Sequence, residues 1–433
     1  MFVPSSARRI RLARTTFVLA GLLPAVALAA WAVQRHSAAH RDAIRTTWEQ
    51  AVGLPITVDS VEHPLPGVVR ARGCTLAAAD GARVLDVAAV EVETSPTEVR
   101  LGIGSLACDP AAAAALAGLA TEWLERGARF RRDVVIDVAD FAWHVPGAGG
   151  RAEVQPIGRV RIECVAQGGD RAVRIVRRDA DEAADEVRIV RSAGADATAG
   201  DGRIDVEAAC AEPVPVAILA AVAARVAGVA PPPGGGALAS FRLAAARVGG
   251  RWAGTASGSV ANVDLAVCTA ALPDGANGTM DVIVRSLEWR DGRLAGADVA
   301  CEAGPGRMDR RLLEALVTTV GCRAGAAFVA AAAEAEPAFD ALACGMRIDG
   351  RGLDVAGAAR LGGAVATAGG RPLLEAPAGI VPAERIAWLL APAGAVYVPS
   401  SGAGAWLMSV LPQAGTAAER TSRAGGAAAG GGF

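Results

Sequence analysis

The stretch Thr97–Leu106 reads TEVRLGIGSL. It sets Val99, Leu101 and Ile103 on one side of an extended backbone and Glu98, Arg100, Gly102 and Gly104 on the other. A period of two fits a strand with one dry face and one wet face, and fits no helix. The same period returns along the chain. Val69 and Ala71 alternate with Arg70 and Arg72, and Val90 and Val92 alternate with Glu91 and Glu93. Met280, Val282 and Val284 alternate with Asp281 and Arg285. Between Arg159 and Cys210, the runs RVRIECV, RAVRIV, EVRIVRS and GRIDVEAAC read as four further short strands. Repeated half-dry strands constrain the chain to antiparallel sheet joined by hairpins.

The turns between strands carry their own signal. DGARVLDVA, DGRIDVEA, DGRLAGADVA and DGRGLDVAGA start at Asp80, Asp201, Asp291 and Asp349, each a turn followed by an outgoing strand. Asp-Gly suits a tight hairpin because both residues tolerate positive φ. The irregular spacing argues for a recurring hairpin over a solenoid repeat. Turn chemistry, and not metal binding, explains the aspartates.

Helices interrupt the strands. Asp109 is a good N-cap and Pro110 fits a first turn, which predicts a helix over 109–127. Further helices are expected over 213–228, 308–321, 382–391 and 402–411. PPPGGG at Pro231–Gly236 breaks the pattern and divides a first β-rich region, 34–230, from a second, 237–413. Residues 414–433, rich in Ala and Gly, read as a disordered tail. Together these features predict a β-rich α+β fold: an N-terminal transmembrane helix, then an antiparallel sheet of hairpin meanders with short interspersed helices.

Location follows from the first residues. Residues 1–14 are basic, with RRIRLAR at 8–14, and Thr15–Val33 carries no charge. Nineteen helical residues span about 28 Å, close to the hydrocarbon thickness of a bilayer. The arginines ahead of this segment predict a cytoplasmic N-terminus, with the remainder across the membrane. A cleaved signal peptide is the alternative, since Ala27-Leu28-Ala29 fits an A-x-A cleavage site. Trp31 extends the apolar run to an interfacial anchor, which favours retention. Either reading exports the body of the chain.

No reaction is legible. The formal net charge is −2, so no basic field for nucleic acid is expected. The chain contains no Lys, which removes a P-loop of standard form. Aromatic residues are only 4%, so the core must be built from small aliphatic side chains, which suits a broad sheet with shallow packing. Of the four His, His36 and His40 are four apart on one helical face without an apparent third ligand, and His63 and His144 have no recognisable nucleophile. The eight Cys include no C-x-x-C pair. They read as small buried hydrophobes, with disulfides as the alternative that an exported compartment permits. A non-enzymatic protein without cofactor or metal is therefore expected.

The order of features matters more than any one motif. An N-terminal anchor leads to a short helix, the strand start GLPITV, the meander PGVVRARGCTLAAADGARVLDVAAVEVE, and later PVPVAILAAV, DGRLAGADV and LLEALV. In this order the chain resembles the AsmA-like (AsmA/TamB-type) superfamily of bacterial envelope proteins, most clearly over residues 15–145. The resemblance implies an elongated curved sheet with an apolar groove, held to the bacterial inner membrane by Thr15–Val33 with its bulk in the periplasm. It implies phospholipid or another envelope lipid as ligand, or a part in outer-membrane assembly with envelope protein partners. Val90, Val92, Val99, Leu101, Ile103, Met280, Val282 and Val284 are the groove candidates. The alternative is a structural or assembly accessory component of a type II secretion-like system, using the same exported architecture to bind proteins.

Overall fold

The computed structural model describes residues 7–52, 54–77, 83–126, 132–146, 152–167, 169–177, 185–192, 202–227, 236–270, 272–390 and 402–412. The fold is β-rich α+β, as the alternation predicts. The chain divides into two compact units: Met1–Leu106 with Val134–Ala139, and Ala107–Asp133 with Asp140–Phe433.

The first unit begins with an apolar helix that runs from α1 (Ala7–Phe17) through a π-helical segment, Val18–Leu22, into α2 (Leu23–Arg35). Pro24 explains the π segment. It has no N–H to donate, and its ring crowds the carbonyl one turn earlier, so the backbone widens just before it. Arg9–Arg35 is long and apolar enough to cross a membrane, and none of its apolar window is buried against protein. Near its end, the Arg35 guanidinium stacks over Trp31 at 4.2 Å. After a turn in which Ser37 Oγ accepts from His40 N, α3 (Ala38–Val52) leads into the strands.

Five antiparallel strands follow: β1 (Ile56–Thr57), β2 (Ser60–Leu65), β3 (Val68–Ala77), β4 (Arg83–Thr94) and β5 (Glu98–Cys108). β3 is central, pairing with β1, β2 and β4, and β4 pairs with β5. Ala71 lies opposite Val90, and Val90 opposite Ile103; all three are buried. The other face is charged, with Arg70 directly opposite Glu91 and bonded to it. Gly73, at φ 61°, lets β3 pass close to Asp59, whose N–H donates to Arg72 O at 3.0 Å.

The second unit holds α4 (Pro110–Arg126), started by Asp109 Oδ1 accepting from Ala112 N at 2.7 Å, as expected of that N-cap. β6 (Asp133–Pro146), of which Val134–Ala139 belongs to the first unit, leads on to β7 (Ala152–Gln167), β8 (Asp170–Arg177), β9 (Glu186–Ser192) and β10 (Arg203–Pro215). Then come α5 (Val216–Ala227), β11 (Leu238–Val248), β12 (Arg251–Asp264) and α6 (Leu265–Thr269). β13 (Ala276–Asn277), β14 (Thr279–Arg290), β15 (Arg293–Ala303), β16 (Gly306–Met308) and α7 (Arg310–Ala315) follow. The remaining elements are β17 (Arg323–Ala324), α8 (Phe328–Ala331), β18 (Ala338–Phe339), β19 (Ala341–Asp349) and β20 (Gly352–Gly357). β21 (Ala364–Ala368), β22 (Arg371–Glu375), α9 (Arg385–Leu389) and α10 (Gly402–Val410) complete the unit.

From β7 the sheet is an antiparallel meander in the order β7-β8-β9-β10-β11-β12-β14-β15-β19-β20. At β19 it forks. Cys344–Asp349 pairs with β20, while Ala341 and Leu342 pair with β21, which continues to β22 and β17. Outside β20, Leu353 and Val381 exchange two hydrogen bonds of 2.7 and 2.8 Å. β13, β16 and β18 form a small separate sheet.

Several boundaries differ from those the sequence predicts. Pro213 and Pro215 finish β10, so α5 starts at Val216, not at 213. The helix expected over 308–321 starts at Arg310, turns π-helical over Leu316–Val320 and stops at Gly321, φ 91°. The break at 231–236 does not separate one β-rich region from another: β10 and β11 flank it and pair directly, Ala208 opposite Leu243. Of the Asp-Gly turns, Asp291 and Gly292 both take positive φ, joining β14 to β15, and Asp349 Oδ1 accepts from Arg351 N in the β19–β20 turn. The Asp80 and Asp201 turns, Pro231–Gly235 and the tail 414–433 lie outside the described residues.

Candidate functional site

Directly opposed residues of an antiparallel sheet share a face, so registers can be read across strands. In the second unit Ile162 of β7 faces Ile175 of β8, which faces Val187 of β9, which faces Ala208 of β10. The row continues through Leu243 of β11, Ala256 of β12 and Leu287 of β14. It ends at Ala297, Ile348 and Leu353 on β15, β19 and β20. A parallel row runs Cys210, Phe241, Gly258, Val284, Val299, Met346 and Val355. No polar side chain interrupts either row.

The chain covers both ends of this face itself. Over β7–β9, Trp123 and Leu124 of α4 bury Val173 and pack on Ile162, Cys164, Ile175 and Ile189. Arg171 Nη1 donates to Leu124 O at 2.7 Å, and Arg191 Nη1 donates to Leu124 O at 3.0 Å and Glu125 O at 3.1 Å. Two strand arginines thus hold the negative end of the α4 dipole against the sheet. α5 packs on α4 and on β10. At the other end, Leu312, Leu313 and Val320 close over Leu353, Val355 and Ala303 in one core.

Between these covers, Phe241, Leu243, Val282, Val284 and Leu287 are half-buried and belong to neither core. Ala256 of β12 lies between Leu243 and Leu287, and Gly258 between Phe241 and Val284, while Gly254 lies between Ala245 and Trp289, whose ring packs against it and closes that end. A strand of small residues flanked by larger ones makes a furrow. Strand spacing sets the width from β11 to β14 at about 10 Å, enough for an acyl chain or an extended apolar segment. The opposite face is polar, with Asp298 Oδ1 accepting from Arg285 at 2.9 Å and Oδ2 from Arg347 at 3.0 Å. Those two guanidiniums hold the Asp298 carboxyl below the usual carboxylate range. A depression of about 300 Å³ on this polar side is lined by Arg242, Thr255, Ser257 and Arg285.

The groove candidates therefore separate. Val282 and Val284 lie on the half-open strip. Met280 packs against the C-terminal core. In the first unit, Val90, Val92 and Ile103 are buried, whereas Val99 and Leu101 are half-buried. The sequence does not single out Phe241, Leu243 and Leu287, because the Ala and Gly of β12 blur the alternation that flags a strand.

His36 and His40 do not share one helical face, since His36 caps the end of α2 and His40 lies in α3. The Nε2 of His40 lies 2.9 Å from Nε2 of His63, which sits in β2. No group of three or more His, Cys, Asp or Glu suited to a metal occurs among the described residues. Comparison with known proteins finds no matching family model, curated protein or solved structure.

Proposed function

We propose that this chain is a non-enzymatic, membrane-anchored envelope protein of the bacterial inner membrane that binds lipid acyl chains on an apolar sheet face. The observation that carries the reading is the half-buried apolar strip of β11, β12 and β14, outside both cores, floored by Ala256 and Gly258 and bordered by Phe241, Leu243, Val284 and Leu287. Each methylene buried there contributes about 0.8 kcal/mol, so measurable binding requires burial along much of an acyl chain. The Arg9–Arg35 helix, with basic residues ahead of it and Trp31 and Arg35 at its far end, supports an anchor with an exported body. This reading agrees with the resemblance to the AsmA-like superfamily. Transfer of lipid would then draw on a gradient or on another machine, since the strip presents no reactive group.

A second reading, an assembly component that docks a protein segment in the same furrow, draws support from the closed core at the C-terminal end of the sheet. A photo-crosslinking residue at Val282 in the full chain, expressed in bacterial membranes, separates the two. Lipid adducts at Val282 and none at the adjacent, outward-facing Ile283 support lipid binding. Protein adducts at Val282 support assembly, and equal labelling at both positions removes the furrow from either.

A further inference from the structure

Cys301 of β15 and Cys344 of β19 are direct cross-strand partners on the apolar face. Opposed residues in an antiparallel pair have Cα atoms about 4.5–5.5 Å apart, inside the range a disulfide spans. Both are thiols in the structure, Cys301 buried and Cys344 half-buried. The Cys344 thiol is hydrogen-bonded to Cys301, which holds the Cys301 thiol below its ordinary range and pushes that of Cys344 up.

We propose that Cys301 and Cys344 form a cross-strand disulfide that closes the segment 302–343 into a loop. That segment supplies the cover of the C-terminal core: Met308, Leu312, Leu313, Val320 and Phe339. The bond would therefore tie both ends of the cover to neighbouring strands of the sheet it covers. Formation requires a disulfide-bearing thiol oxidant, R–S–S–R. The Cys301 thiolate attacks one oxidant sulfur and releases R–S⁻. The Cys344 thiolate then attacks the mixed disulfide at the Cys301 sulfur and releases a second R–S⁻. Two cysteine thiols are oxidised, one oxidant disulfide is reduced to two thiols, and the two cysteine protons pass to the released thiolates. Because Cys301 is buried in the folded chain, its attack on the oxidant belongs to the stage before 302–343 packs. Cys322, in the same core and near enough to Cys344 for its charge to be felt there, is the competing partner.

The proposal rests on the exported location for its oxidant, and the experiment separates the two. Full-length protein in membranes of an expressing bacterium is alkylated before lysis and digested without reductant. In a second arm, chain reduced in denaturant is refolded in detergent with oxidised glutathione. A peptide pair joining Cys301 to Cys344 in both arms is the expected result. Its reduction, or Cys344→Ser, then lowers the thermal midpoint of the wild-type chain by about 5 °C, and reductant has no effect on the Cys301→Ala/Cys344→Ala chain. Linkage on refolding but not in the cell supports the pairing and overturns the exported location. A pair through Cys322, or no linkage in either arm, overturns the disulfide.

Discussion

His40 and His63 meet through their Nε2 atoms at 2.9 Å, tying α3, the first helix beyond the apolar segment, to β2. Such a contact needs one N–H donor and one bare nitrogen, so two imidazolium ions cannot make it. Burial lowers the pKa of His63, and the charges of Arg35, His40 and His36 lower it further. The folded chain therefore prefers neutral His63. That contribution to stability is complete above pH 6.5, the unfolded value, and is lost as pH falls from there through the lower folded value. Thermal melts between pH 8 and pH 5 should show a midpoint falling below about pH 6.5. The His63→Asn chain should show a shallower fall. An unchanged profile in that variant would assign the pH dependence to other groups.

The arginine pair beneath α4 predicts a local effect. Arg171 and Arg191 are opposed in register, and their repulsion is offset by the carbonyls of Leu124 and Glu125. Burial, and then the neighbouring Arg191, hold the Arg171 pKa below its usual range. Arg171→Met should cost about 1 kcal/mol in denaturant unfolding and speed hydrogen exchange in the last turns of Pro110–Arg126. Exchange that rises equally in β14 would point to global loosening instead.

Substitutions on the apolar face should sort by burial. Ile103 is buried opposite Val90, so Ile103→Asp strands a carboxylate in the first unit and should cost about 3 kcal/mol or more. Val284 borders the furrow half-buried, so Val284→Asp should cost about 1 kcal/mol while abolishing lipid adducts from Val282. Urea unfolding gives the first quantity and the crosslinking yield the second. Retained adducts at full yield would move the ligand off this strip.

Two glycines of the first unit should behave oppositely. Gly73 has positive φ, and a Cβ there would collide with the Asp59 carboxylate, so Gly73→Ala should lose about 1–3 kcal/mol. Gly104 has open space around its Cβ position and no positive φ, so Gly104→Ala should be neutral or slightly stabilising. Melting both variants side by side is sufficient.

Local rules reach far in this chain. The alternation around Val90 and Ile103, the Asp109 cap of α4 and the Asp291-Gly292 turn are all readable, because each is decided within a few residues. The furrow is not. It depends on which strands lie beside β12, and Gly254, Ala256 and Gly258 give no hydrophobic period of their own. The His40–His63 contact is also hidden, since it joins a helix to a strand through register and not through spacing. Pro231–Gly236 reads as a boundary because a local break resembles one, whether or not the strands on either side later pair.

The Leu353–Val381 exchange has a consequence for how the protein behaves in a crowd. β20 ends the meander, and a bare last strand would offer its N–H and C=O groups to any extended peptide nearby. Val381 occupies that position with two hydrogen bonds from the same chain. Runaway edge-to-edge polymerisation is thereby blocked where Val381 sits, so apolar surface on the face of the sheet can stay open without its rim also recruiting copies of the chain there.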